Sequence, residues 1–239
     1  MMGRIHSFQS LGTVDGPGIR AVVFMQGCPL RGVCCHNPDT WDFEGGKEIS
    51  APELMKKIVS LRSYFGNNGG VTVSGGEPLM QAEFVTELFI RCKESGINTA
   101  LDTSGCVYNE SVEKLLYYTD LVLLDYKYTN DADYESYVGM QKETVDDFLQ
   151  KLDAMKKRTW LRQVIIPTLN DSEKSAERLY ELCKSYSCIE KVELLPFRKL
   201  CLEKYDEAGI EFKLRDVPEA SSELIARLEA LKNKFYGVN

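Results

Sequence analysis

The sequence predicts an α/β protein whose strands run parallel and are joined by helical crossovers. Two observations carry that expectation. Apolar runs of strand length alternate with stretches of helical spacing, and no series of strand-like runs stands side by side as in a hairpin meander. A third observation places chemistry within the fold, because polar or glycine-rich punctuation follows one strand-like run after another. At 239 residues the chain can bury a full core, and one domain over 1–239 is expected.

Residues 1–18, ending Leu11-Gly12-Thr13-Val14-Asp15-Gly16-Pro17-Gly18, read as a polar, glycine-rich lead-in without regular structure. Ile19–Met25 is β-branched and apolar and gives the first strand. Ala51–Tyr64 follows as a helix, with Ser50 as its N-cap and Pro52 in its first turn. Gly70–Ser74 is the second strand. Phe84, Leu88 and Cys92 recur at helical spacing in Gln81–Ser95, and Gly96 closes that helix.

Asn98–Asp102 makes a third strand and Asn109–Tyr118 a helix. Leu121–Lys127 is almost continuously apolar, the pattern of a strand covered on both faces. Glu143–Lys157 is helical, and Trp160–Ile166 is a strand stopped by Pro167. Ser172–Tyr186 is helical, Lys191–Phe197 is a sixth strand, and Glu219–Tyr236 closes the chain as a helix with Leu224, Leu228, Leu231 and Phe235 on one face. The pattern alone fits an open sheet or a barrel equally well.

Composition excludes several functions. Apolar residues make up 44% and charged residues 27%, as in a globular rather than a disordered chain. The net charge of −7, with no basic block, gives nucleic-acid binding no electrostatic support. No apolar run reaches the roughly 20 residues of a membrane span, and no secretion signal opens the chain, so a cytoplasmic protein is expected. Eight cysteines then read as ligands or buried thiols rather than disulfides. Cys92 and Cys183 fall on apolar helix stripes and are expected in the core. Cys106, Cys188 and Cys201 have no ligand spacing. His6 and His36 are the only histidines, which rules out a multi-histidine zinc site.

The stretch that organises the rest is Gly27-Cys28-Pro29-Leu30-Arg31-Gly32-Val33-Cys34-Cys35-His36-Asn37-Pro38-Asp39-Thr40-Trp41, just past the first strand. Short loops with several thiolates hold iron–sulfur clusters or zinc. A zinc module would draw on Cys28, Cys34, Cys35 and His36, but no Cys-x2-Cys pair is present. The loop resembles the Cys-x3-Cys-x2-Cys cluster loop of radical S-adenosylmethionine enzymes. His36 to Trp41 further resemble the glycyl-radical enzyme activases, pyruvate formate-lyase activating enzymes among them. Cys28 matches the first ligand and Cys35 the third. Gly32 stands at the middle ligand, and Cys34 stands where that family has an aromatic residue.

The resemblance implies a partial (β/α)6 barrel in one domain, without the ferredoxin-like insert of some activases. It implies a [4Fe–4S] cluster on Cys28 and Cys35, with Cys34 as the substitute ligand or with two thiolates completed by water or an outside thiol. It also implies S-adenosylmethionine, reductively cleaved at the cluster so that a glycine of pyruvate formate-lyase becomes a radical. Flavodoxin or ferredoxin is the implied electron donor. By the same resemblance, cofactor contacts fall to Cys34, His36, Gly76, Glu77, Asp102, Asp125, Tyr126, Lys127, Arg162 and Arg198. Asp102, Thr103 and Asp125 are implied ligands of a monovalent cation, sodium or potassium. Arg198 replaces a family histidine and could stack on adenine. Because Gly32 vacates a ligand position, a non-catalytic relative that keeps the fold and its binding partners is the alternative reading.

The residues themselves support parts of this. Gly75 and Gly76 in Ser74-Gly75-Gly76-Glu77-Pro78 permit close backbone approach, though a plain strand-to-helix turn would look alike. Asp102 and Asp125 each end an apolar run, where a carboxylate needs a partner, and Lys127 or Arg162 could serve. Gly12–Gly18 lacks the Gly-Lys-Ser/Thr ending of a phosphate loop.

Overall fold

A computed structural model describes residues 1–233. Its contacts divide the chain into two compact units: Met1–Pro29 with Thr40–Leu124, and Leu30–Asp39 with the chain from Asp125 onward.

The strands of the first unit are β1 (Met2–Gly12), β2 (Arg20–Met25), β3 (Lys47–Ser50), β4 (Gly70–Gly75), β5 (Asn98–Thr103) and β6 (Leu121–Asp125), the last up to Leu124. They lie in the order β3-β1-β2-β4-β5-β6. From β2 to β6 the pairing is parallel, as the alternation predicts. The lead-in differs from expectation: Met2–Gly12 is an eleven-residue strand, antiparallel to both β2 and β3. Its His6, Ser7, Gln9 and Ser10 hide the strand signal, while Ile5 is fully buried. Gly3 is required here, since a Cβ would stand 2.3 Å from the Phe84 ring.

Three helices cover these strands: α1 (Ala51–Ser60), α2 (Ala82–Glu94) and α3 (Glu110–Tyr117). Ser50 and Glu53 form a reciprocal capping box at the start of α1, and Asn109 caps α3. The first helix stops at Ser60, short of the expected Tyr64, and a 3-10 turn covers Arg62–Tyr64. Gly96, at φ 65°, takes the left-handed conformation expected after α2. Leu54 and Ile58 of α1 and Val85, Leu88 and Cys92 of α2 are fully buried, as are Val22, Val23, Val71, Val73 and Leu101 of the strands. Each such aliphatic side chain contributes about 1.5–3 kcal/mol.

The second unit pairs β7 (Thr159–Ile165) in parallel with β8 (Ile189–Pro196). Its helices are α4 (Asp131–Val138), α5 (Lys142–Ala154), α6 (Glu173–Lys184), α7 (Leu202–Ala208) and α8 (Ser222–Ala230). The sequence pattern does not reveal α4 and α7, which are short. Both end on glycines of positive φ, Gly139 and Gly209. The expected final helix is seen as α8; Phe235 and Tyr236 lie outside the described residues. Cys183 is buried, as expected, and so are Cys188 and Cys201. No described helix is long and apolar enough to cross a membrane.

Candidate active site

In the first unit the site residues gather where β2, β4 and β5 end. Gly75, at φ 107°, and Gly76 turn the chain so closely against β2 that side chains cannot fit. A Cβ on Gly75 would lie 2.3 Å from Met25 N, and one on Gly76 would lie 2.4 Å from Gly27 O. These glycines therefore serve chain packing, whatever else they do. The Gly76 N–H donates to Met25 O (2.9 Å) and the Glu77 N–H to Gly27 O (2.9 Å), which fixes the backbone just before Cys28. Cys28 donates its own N–H to Trp41 O at 3.3 Å.

Glu77 is buried, and its carboxylate accepts from the Thr103 hydroxyl (2.6 Å) and from both the N–H (3.0 Å) and hydroxyl (2.5 Å) of Ser104. Burial pushes its carboxyl above the ordinary glutamate range, against the pull of those bonds. Asp102 accepts from the Ser74 hydroxyl at 2.7 Å. Thr103 Oγ1 also accepts the Gly105 N–H at 3.1 Å. Cys106 is the residue that sequence spacing overlooks. Burial pushes its thiol up to about 12, and the charges of Glu77 and Cys28 push the same way. Only the turn after β5 places it so; no motif announces it.

In the second unit Cys34, Asp125, Lys127, Tyr128 and Arg162 line one small cavity. Lys127 and Asp125 pair at 3.0 Å. Burial alone would lower the Lys127 ammonium, but Asp125 and then Cys34 raise it above the ordinary lysine value. Burial pushes the Cys34 thiol up to about 11, with Lys127 opposing. Arg162 Nε lies 3.4 Å from Glu193. The Tyr128 hydroxyl is buried without a hydrogen-bond partner. The Lys127 and Arg162 cations, each paired with a carboxylate, and the unsatisfied Tyr128 hydroxyl thus face one cavity.

Cys35 faces other partners than its neighbour Cys34. Its sulfur accepts the Asn37 N–H at 3.4 Å and its carbonyl accepts the Tyr205 hydroxyl at 3.1 Å. Lys204 holds the same loop through Asn37 (2.8 Å) and Asp39 (3.1 Å). His36 Nε2 lies 2.9 Å from Arg198 O. The Arg198 guanidinium donates to Ala220 O at 2.6 Å and stands 3.6 Å from Glu219. Tyr126 sends its hydroxyl to Asp146 at 2.7 Å, beside Lys142, and is not a lining residue of the cavity.

Gly32 has no side chain to offer, so the loop, whose three thiols are Cys28, Cys34 and Cys35, carries no sulfur where the resemblance expects its middle ligand. A Cβ placed on Gly32 would meet only Tyr137 O, at 3.9 Å. Among the described residues no three His, Cys, Asp or Glu side chains converge as a ready metal site.

Comparison with known proteins agrees with this picture. A family described as a 4Fe-4S single cluster domain matches residues 14–145. The chain is 48% identical over 230 residues to the pyruvate formate-lyase-activating enzyme of Clostridium pasteurianum, covering 96% of each. It is 43% identical over 238 residues to pyruvate formate-lyase 1-activating enzyme of Escherichia coli K12, covering 98% of this chain and 97% of that one. Among solved structures it resembles a domain of pyruvate-formate lyase-activating enzyme from Bacteroides vulgatus. There the TM-score is 0.58 at 23% identity, over 70% of this chain and 94% of that one. It also resembles Streptococcus suis SuiB bound to S-adenosylmethionine, with a TM-score of 0.64 at 16% identity, over 87% of this chain and 45% of that one. A radical SAM methyltransferase from Sphaerobacter thermophilus gives 0.61 at 18% identity, over 91% and 64% of the two chains. These likenesses show the fold to be the unclosed α/β barrel of that class.

Proposed function

Because the chain belongs to the pyruvate formate-lyase-activating enzymes, and so is a radical S-adenosylmethionine enzyme, we propose that it activates pyruvate formate-lyase by raising a radical on one of its glycines. When bound, a reduced [4Fe–4S] cluster and S-adenosylmethionine supply the hydrogen-abstracting radical through reductive cleavage of the sulfonium bond. The observation that carries this reading is near full-length identity to activases at 48% and 43%, with the Cys28–Trp41 loop in place.

In this reading Cys28 and Cys35 hold the cluster. Lys127 and Arg162 draw in the carboxylate of the cofactor's methionine, and the buried Tyr128 hydroxyl supplies a further donor. Their pairing with Asp125 and Glu193 keeps both cations fixed before the cofactor arrives, so little side-chain order is lost on binding. Asp102, Thr103 and Asp125 are carboxylate and hydroxyl oxygens suited to a monovalent cation. We assign the electron donor to a flavodoxin or ferredoxin, and the two compact units together to a single working domain; end-to-end alignment with the relatives supports the latter.

Gly32 favours a second reading, an activase relative whose cluster is impaired but whose fold and binding remain. Anaerobic reduction of the reconstituted chain with S-adenosylmethionine separates the two. Methionine and 5′-deoxyadenosine released in equal amounts support the activase, and cofactor recovered intact supports the relative.

A further inference from the structure

The resemblance gives Glu77 a direct part in binding the cofactor, and its surroundings point elsewhere. Its carboxylate is 1% exposed. It accepts four hydrogen bonds: Leu79 N–H at 3.2 Å, the Thr103 hydroxyl at 2.6 Å, and the Ser104 N–H and hydroxyl at 3.0 and 2.5 Å. A carboxylate offers about four lone-pair sites. All of them are used within the protein, and none is left for the ammonium of a ligand.

Those bonds join three segments of the first unit. The Glu77 backbone N–H holds Gly27, next to Cys28. Its side chain holds the turn after β5, which carries Asp102, Thr103 and Cys106, and closes its own turn through Leu79. Gly75 and Gly76 are already pressed onto β2 with no room for a Cβ, so Glu77 sets where the neighbouring turn stands relative to that fixed backbone.

We infer that Glu77 is a positioning residue, an internal clamp that fixes the Asp102–Gly105 turn against the Gly75–Gly76 turn and acts on the cofactor only through them. The inference rests on the S-adenosylmethionine reading above. It separates two roles that the motif merges: Gly76 offers backbone to the ligand, and Glu77 keeps that backbone and the β5 turn in register.

Two variants test it. Glu77→Gln keeps the shape, but an amide oxygen has half the acceptor capacity and its NH2 opposes the same donors. Ser104→Ala, the milder variant, removes one donor and leaves Glu77 intact. Two readouts are taken on each: amide hydrogen exchange over residues 74–79 and 101–106, and S-adenosylmethionine affinity of the anaerobically reconstituted protein by calorimetry. Both variants are expected to speed exchange in both segments. Affinity is expected to fall about tenfold in Glu77→Gln and about threefold in Ser104→Ala, in line with one lost charged and one lost weaker hydrogen bond. The double variant is expected to be less impaired than the product of the two, because both break one network.

Weakened binding in Glu77→Gln with unchanged exchange at 101–106, and normal binding in Ser104→Ala, would mean direct contact and overturn the inference. Faster exchange with unchanged affinity would reduce Glu77 to a merely structural role and overturn it too. A wild-type chain that binds no S-adenosylmethionine would fail the underlying reading, and this inference with it, before any variant is compared.

Discussion

Gly32 is the residue where chemistry and sequence part. His36 to Trp41 keep the activase pattern, yet the position where that pattern has its middle cysteine carries no sulfur. The backbone there is unstrained, and a Cβ would touch nothing closer than Tyr137 O at 3.9 Å. Gly32→Cys is therefore expected to fold as the wild type does and to raise iron and sulfide per chain after reconstitution; equal contents in the two proteins would refute this. At this scale the sequence names positions well and orientations poorly. Glu77 is legible as part of a glycine-rich turn, but nothing in Gly-Gly-Glu-Pro says that its carboxylate turns inward toward Thr103 and Ser104. The pairing of Lys127 with Asp125 was foreseeable, since a carboxylate ending an apolar strand needs a partner. Cys106 was not, because its burial beside the Glu77 charge depends on how the turn after β5 folds.

At the scale of elements, helix caps were the most legible feature. Ser50 and Gly96 sit where their chemistry demands, and Ser172 caps α6 as the start of the expected helix implies. The short α4 and the antiparallel β1 escaped, one for want of periodicity and the other because its polar residues mask the strand pattern. Asp120 shows how a crossover is closed. It pairs with Lys93 near the end of α2 and accepts the Thr99 N–H (3.0 Å) at the start of β5. Burial opposes ionisation, but Lys93 and Thr99 win and hold its carboxyl below the ordinary aspartate value. A depressed carboxyl stabilises the fold above its unfolded value of about 3.9 and loses that contribution as pH falls through the folded value. Asp120→Asn is thus expected to cost about 1–2 kcal/mol at neutral pH, in urea unfolding, with the gap to wild type closing at the acid end. A gap that stays constant with pH would contradict the assignment.

For the whole molecule, alternation of strands and helices sufficed to foresee the parallel α/β class, but only the cluster-loop resemblance chose a barrel. Physical pattern could not, because curvature arises from how strands coil rather than from which residues they bury. The same division holds for function: the net charge of −7 gave nucleic-acid binding little electrostatic support and two histidines are too few for a multi-histidine zinc site, while the proposed activity rests on family membership joined to the candidate sites at the ends of β2, β4, β5 and β6. The central claim is that this chain makes a glycyl radical on another protein. Its most direct test is electron paramagnetic resonance of pyruvate formate-lyase incubated anaerobically with the chain, S-adenosylmethionine and a reduced flavodoxin, with the Gly32→Cys variant run in parallel. The account predicts a glycyl-radical signal that forms with the wild-type chain and more fully with the variant. No such signal with either protein would contradict it.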